Sequence, residues 1–184
     1  MSVPTGLILP PLADPPYPFL TPFDPRSGNS SANVVANTVY LERLPRVSHP
    51  VSITAIEYFC VSAAGNVDLG LYTTTDPVGT QAEALAATFT RVAQTGATAA
   101  AGTNAWHRIS LTAPYTYNPS SNLWVSFGSD GAPSVARIAP LHQLLNVAQG
   151  LLITDSSVYS SGLPASFQAE GGSTIGIILR AILA

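Results

Sequence analysis

Apolar and polar positions alternate along most of this chain in short runs separated by Gly, Pro and Asn, the two-residue period of half-buried strands. Asn66–Thr73 shows it most plainly, with Val67, Leu69 and Leu71 on one side and Asp68, Gly70 and Tyr72 on the other. In Trp106–Leu111, His107, Ile109 and Leu111 face away from Trp106, Arg108 and Ser110. Leu123–Phe127 sets Leu123, Val125 and Phe127 against Trp124 and Ser126. Val34–Leu44 is rich in β-branched and aromatic residues and is stopped by Pro45. Val51–Ser62 predicts a longer strand, with a bulge near Thr54–Ala55 that brings Ile56, Tyr58 and Cys60 onto one face, and Ala63–Asn66 is the turn that follows. Ser134–Ile138, Leu151–Thr154 and Ile175–Ile182 complete a set of seven or more short strands. Such a set predicts an all-β protein, a β-sandwich of jelly-roll type.

Two segments break the period. Gln81–Gln94 carries Leu85, Phe89 and Val92 at helical spacing, while Thr88, Thr90 and Val92 suit a strand, so a helical turn leading into a strand is expected. Pro140–Gly150 predicts one short helix: Leu141, Leu144, Leu145 and Ala148 share a face, Pro140 fits the first turn and Gly150 caps the end. Gly96–Gly102 reads as a loop of small residues.

The leading residues are of another kind. Eight of the sixteen prolines fall in the first 25 positions. Each fixes φ and removes a donor, so this stretch is neither helix nor interior strand but an extended arm. It also carries Leu7, Ile8, Leu9, Tyr17, Phe19, Leu20 and Phe23, too apolar for a solvated tether. An apolar arm must lie on something, and the expected seat is a neighbouring subunit rather than its own body. Residues 1–30 are therefore read as an assembly arm and hinge, with Ser27–Asn33 as the hinge segment, and 31–184 as the sandwich domain.

Charge sharpens the picture. Of 184 residues only 9% are charged, against about 25% in an ordinary soluble domain, and all seven basic residues are Arg. A net charge of −3 without a basic cluster argues against nucleic acid and against a polybasic membrane contact. The most apolar stretch, Ile175–Ala184, is interrupted by Arg180 and falls short of the roughly 20 residues a bilayer span needs. There is no basic leader region at the start, so no secretory signal is expected. A surface poor in charge suits a protein packed against neighbours.

Candidate chemistry is thin. His49, His107 and His142 share no metal-binding spacing; His107 falls on an apolar strand face and reads as a core or interface residue. No GxSxG elbow is present, and a phosphate loop would need the Lys this chain lacks. Asp68 and Asp130 sit where hairpins place solvated acids, and Asp76, Asp130 and Asp155 have no EF-hand spacing for calcium. Cys60, the single cysteine, reads as a buried inert thiol. No enzyme activity, metal or cofactor is expected. Tyr72, Trp106 and Trp124 lie opposite the aliphatic faces of their strands and could stack on sugar rings, although covering of both strand faces accounts for them as well.

Three stretches, ITAIEYFCVSAAGNVDLGLYTTTD (53–76), AQTGATAAAGTNAWHRISLT (93–112) and SSNLWVSFGSDG (120–131), together resemble a pattern recurrent in tailed-bacteriophage virion proteins, and SGLPASF (161–167) resembles the late loop of such domains. The resemblance covers about residues 53–182 and leaves the arm outside it. It implies a non-enzymatic virion component assembled in the host cytoplasm: a capsid decoration or a tail or fibre part, contacting other virion proteins and forming a homo-oligomer, a trimer by analogy. The alternative role is a glycan- or receptor-binding module for host adsorption, with Tyr72, Trp106 and Trp124 as its platform.

Overall fold

The structure, a computed structural model, describes residues 19–20, 30–74, 83, 86–102, 104–138, 150–153, 159, 162–168, 171–172 and 176–184. Its strands, in chain order, are β1 (Phe19–Leu20), β2 (Ser30–Asn33), β3 (Thr38–Arg43), β4 (Val51–Ser62), β5 (Asn66–Thr73), β6 (Thr88–Gln94), β7 (Thr98–Ala99) and β8 (Ala105–Tyr117). They continue with β9 (Leu123–Ser129), β10 (Ser134–Ile138), β11 (Gly150–Ile153), β12 (Ser166–Gln168), β13 (Gly171–Gly172), β14 (Gly176–Ile177) and β15 (Leu179–Leu183). The protein is all-β, and its strands form two antiparallel sheets.

In the first sheet, β4 is the spine. β8 runs along one of its edges, while β15 and β10 share the other; β1 lies beyond β15, and β2 and β14 pair with β10. The second sheet has the order β12-β6-β5-β9-β3-β11-β13, with β7 beside β5. The main core lies between the sheets. The first contributes Ile53, Ile56, Tyr58, Cys60, Leu111, Val135, Leu179 and Ala181; the second contributes Tyr40, Val67, Leu69, Leu71, Leu123, Val125 and Phe127. Alternation thus places these residues as expected.

Strands β4 and β5 keep the bounds expected of them, and the β4–β8 register shifts between Ile53 and Ala55, where the bulge was predicted. That shift returns Ile56, Tyr58 and Cys60 to the core side. Gly65 holds the following turn at φ 67°, a conformation that costs a residue with a Cβ. Near Gln81–Gln94 the backbone is helical at Glu83 and Ala86 and extended from Thr88, as the mixed period implied.

Three expectations need correction. The expected hinge Ser27–Asn33 ends in a strand, because Ser30–Asn33 forms β2 against Arg137–Ser134. Small polar residues carry no apolar period, yet main-chain pairing at a sheet edge needs none. The loop Gly96–Gly102 contains β7, paired to Asn66 and Val67. Gly150 begins strand β11 instead of capping a helix. The rest of the predicted helix, 140–149, lies outside the described residues.

A second, smaller core covers the outer face of the second sheet. Val39, Leu41, Tyr72, Phe89 and Trp124 project from its strands, joined by Phe167 of the edge strand β12, and are roofed by Tyr159 and Leu163. We call the segment from Tyr159 to Gln168 the strap. It sits directly on backbone at two glycines: a Cβ on Gly128 would lie 2.6 Å from Tyr159 Cδ2, and one on Gly70 would lie 2.6 Å from Leu163 Cδ1. Polar contacts fix its height. The Leu163 amide donates to Asp68 Oδ2 (3.2 Å), the Arg91 guanidinium donates to the Leu163 carbonyl, and Tyr72 OH donates to the Pro164 carbonyl (2.7 Å). β12 then pairs with β6.

Candidate functional site: the seat of the leading arm

The arm enters the fold at Phe19 and Leu20, which pair with Ile182 and Ala181 of β15. Leu20 turns inward and is 5% exposed within the main core. Burying a leucine there is worth about 1.5–3 kcal/mol before ordering costs. Phe19 turns outward onto the Arg180 guanidinium, whose central carbon lies 4.7 Å from the ring centroid. The same guanidinium lies 3.5 Å from the Trp106 ring centroid. Trp106 in turn meets Phe59 edge-on at 5.6 Å.

Strand register assembles this group. Arg180 is opposite Glu57, Glu57 is opposite Arg108, and Phe59 is opposite Trp106, so alternate positions on β15, β4 and β8 share the outer face of the first sheet. Glu57 ties the row together, accepting from Arg108 Nε at 2.8 Å and lying 3.6 Å from Arg180 Nη1. The Arg180 side chain is 19% exposed and that of Glu57 12%, whereas Arg108 is 59% exposed. A guanidinium partly desolvated beside rings gains about 0.5–2 kcal/mol per ring, because the negative ring faces attract it. The site is an aromatic and cationic seat for an extended apolar segment.

Of the expected arm residues, Phe19 and Leu20 lie on the chain's own sheet in this single chain, where a neighbour's surface was the expected seat. Strand pairing and the Leu20 pocket explain the preference, since both satisfy groups the body itself presents. Leu7, Ile8, Leu9, Tyr17 and Phe23 lie outside the described residues.

The aromatic trio does not form one face. Tyr72 and Trp124 are fully buried under the strap on the second sheet, and buried rings have no face to offer a sugar. Trp106 is half-buried on the first sheet and covered by Arg180.

The acids considered for chemistry have structural partners. Asp68 accepts from Leu163 N and from Thr95 Oγ1 (3.1 Å). Asp130 accepts from the Asn66 amide (2.5 Å) and side chain (2.7 Å), and these bonds hold its carboxyl below the usual range. His107 packs on Tyr58 at 5.6 Å, Ser48 Oγ lies 3.1 Å from Nδ1 of the exposed His49, and Cys60 is a buried thiol pushed up by burial. Asp76, His142 and Asp155 lie outside the described residues. Among the described residues no three His, Cys, Asp or Glu side chains cluster as a metal site would require, and no helix is long and apolar enough to cross a membrane.

Two residues escaped the sequence reading. Arg180, seen only as a break in an apolar run, is the centre of the seat; its place between the inward Leu179 and Ala181 is the signal that turns it outward. Glu42 lies two positions from the inward Tyr40 and is completely buried, with no hydrogen-bond partner for either carboxyl oxygen among the described residues. Burial pushes its carboxyl well above the ordinary range, and the nearby Ile177 amide, short of a proper hydrogen bond, opposes this only in part.

The chain matches no protein-family model and no curated protein sequence.

Proposed function

We propose that this chain is a non-enzymatic structural accessory protein of a tailed-phage particle, a capsid decoration or a tail or fibre component, anchored to neighbouring subunits through its leading arm. The observation that carries the reading is the seat itself. Phe19 and Leu20 attach to the chain's own sheet by main-chain pairing, one buried leucine and one ring over a guanidinium, and the same kinds of contact would let the rest of the arm clamp a neighbour. The remaining arm residues, Leu7, Ile8, Leu9, Tyr17 and Phe23, need comparable cover, and the nearly uncharged exterior offers neighbours little repulsion.

The fold proposed for it is a β-sandwich of jelly-roll type. Two antiparallel sheets enclose one core, and distant segments pair within each, as β15 does with β4 and β3 with β9. Asp68, Asp130 and Glu57 all serve the architecture, which supports a body built for rigidity.

The test is made on purified particles from cells carrying the gene. Quantitative mass spectrometry should find this protein in fixed stoichiometry with the capsid or tail subunits. Removing residues 2–25 should leave a folded protein that no longer joins them. Absence from particles, or undiminished incorporation of the truncated chain, contradicts the proposal.

A further inference from the structure

We propose that the Asp130–Gly131 linkage is a site of spontaneous isomerisation to a β-aspartyl bond, kept closed by the contact between its own turn and the turn at Ala64–Asn66. The inference is independent of the assembly reading above. Asp130 is the one aspartate of this chain that a glycine follows, and its side chain is exposed. Glycine has no Cβ to shield its amide nitrogen. In such a pair the Gly131 nitrogen can attack Cγ of Asp130. The N–Cγ bond forms, the nitrogen gives up its proton, the carboxyl gives up its hydroxyl, and water leaves. Water then adds to the resulting succinimide. Opening at Cγ restores aspartate, whereas opening at the main-chain carbonyl leaves Gly131 joined through the Asp130 side chain. The mass is unchanged and water is the only co-reactant.

The fold withholds both partners of that step. Asn66 holds the two carboxyl oxygens, its amide donating to Oδ1 at 2.5 Å and its side chain to Oδ2 at 2.7 Å. The same bonds favour the ionised carboxyl, which is the poorer electrophile. The attacking nitrogen is engaged as well. The Gly131 amide donates to Ser129 Oγ at 3.2 Å, and that hydroxyl donates to the Asn66 carbonyl at 2.8 Å. The two turns also meet backbone to backbone. A Cβ on Gly65 would lie 2.6 Å from the Gly131 nitrogen, and one on Gly131 would lie 2.6 Å from the Ala64 carbonyl oxygen. Ring closure therefore waits for the turns to part, and its rate follows the open fraction. The product cannot simply close again, because a β-linkage adds a methylene to the main chain where the packing leaves no room for a Cβ. These turns connect β4 to β5 and β9 to β10, so each links one sheet to the other.

The test incubates the full chain near neutral pH, folded and in guanidinium chloride, and follows β-aspartyl content at Asp130 by peptide mapping with electron-transfer fragmentation. Two hydrogen bonds of about 1 kcal/mol each hold the carboxyl, so the folded chain should isomerise roughly thirtyfold more slowly than the unfolded one. Asn66→Ala removes one of them and should speed the folded chain about fivefold. Ser129→Ala frees the Gly131 amide and is the second variant, each being checked for a parental circular dichroism spectrum. Isomerised chains, separated by chromatography, should melt below the parent. A rise in either folded variant supports the closure. No β-aspartyl product in the unfolded chain overturns the site. Equal rates in folded and unfolded parent, or parental rates in both folded variants, overturn the closure. A parental Tm for isomerised chains overturns the one-way character of the change.

Discussion

Gly128→Ala probes the strap with one methyl group. The added Cβ would meet Tyr159 Cδ2 at 2.6 Å, Tyr159 Cε2 at 2.8 Å and Leu163 Cδ2 at 3.0 Å. The Tyr159 ring cannot rise freely, because Asp68, Arg91 and Tyr72 hold the strap beside it and β12 is paired to β6. Overpacking of a fixed core costs about 1–3 kcal/mol. Lifting the strap instead would forfeit about 1.5–3 kcal/mol for Leu163 alone, with hydrogen bonds besides. The cheaper response is strained packing, and a loss of about 2–3 kcal/mol is expected. For a domain of this size that lowers Tm by roughly 5–10 °C. Thermal unfolding followed by near-ultraviolet circular dichroism reads it, since Trp124 lies under the strap. Gly96→Ala is the control: nothing lies within 4 Å of its Cβ, so only the positive φ of 79° is penalised, at about 1–2 kcal/mol. A Gly128→Ala protein as stable as the parent would refute the close packing of strap on sheet.

Three further outcomes follow from the same reasoning. Burial raises the Glu42 carboxyl well above its ordinary value in the fold, whereas its unfolded carboxyl ionises near 4.3; between the two values the folded state binds the extra proton, so this stability is full below the unfolded value and is lost as pH rises toward the folded one. Glu42→Gln should flatten this dependence in urea unfolding between pH 5 and 9, roughly the range where other carboxylates no longer titrate, and an unchanged slope would contradict the buried, unpartnered carboxyl. Asp68→Ala should cost about 1–3 kcal/mol by leaving the buried Leu163 amide unsatisfied, and limited proteolysis should then cut within the strap before the rest of the body; equal protection would argue against the pin. Arg180→Lys should weaken the seat by about 1–2 kcal/mol, because a compact ammonium loses the planar guanidinium's contacts with the Phe19 and Trp106 rings, and a change below about 0.3 kcal/mol in thermal unfolding would argue against those contacts.

Much of the fold was legible because strand alternation is a local property. The bounds of β4 and β5, the Thr54 bulge and the inward set Val67, Leu69 and Leu71 all follow from a two-residue period. Alternation tells which residues share a side, but not whether that side is wet. Tyr72 and Trp124 were grouped correctly as outward from the main core, yet the roof over them comes from Tyr159–Gln168, far along the chain. Their burial is a long-range fact with no local trace. Ser30–Asn33 is a strand because β10 offers it an edge, and four small or polar residues cannot announce that. In the seat, Phe19, Leu20 and Trp106 were singled out for separate roles. Their union depends on Arg180 and on the pairing of β15 with both β1 and β4, which no single segment encodes. Glu42 defeats the pattern altogether, since a carboxyl occupies an inward position that the period reserves for apolar side chains.

Sedimentation velocity of the full chain and of the chain lacking residues 2–25, each across a wide concentration range, tests most directly whether the leading arm joins this protein to its neighbours. The account predicts concentration-dependent association of the full chain and a single folded monomer for the truncated one. A full chain that remains monomeric at the highest concentration reached contradicts it.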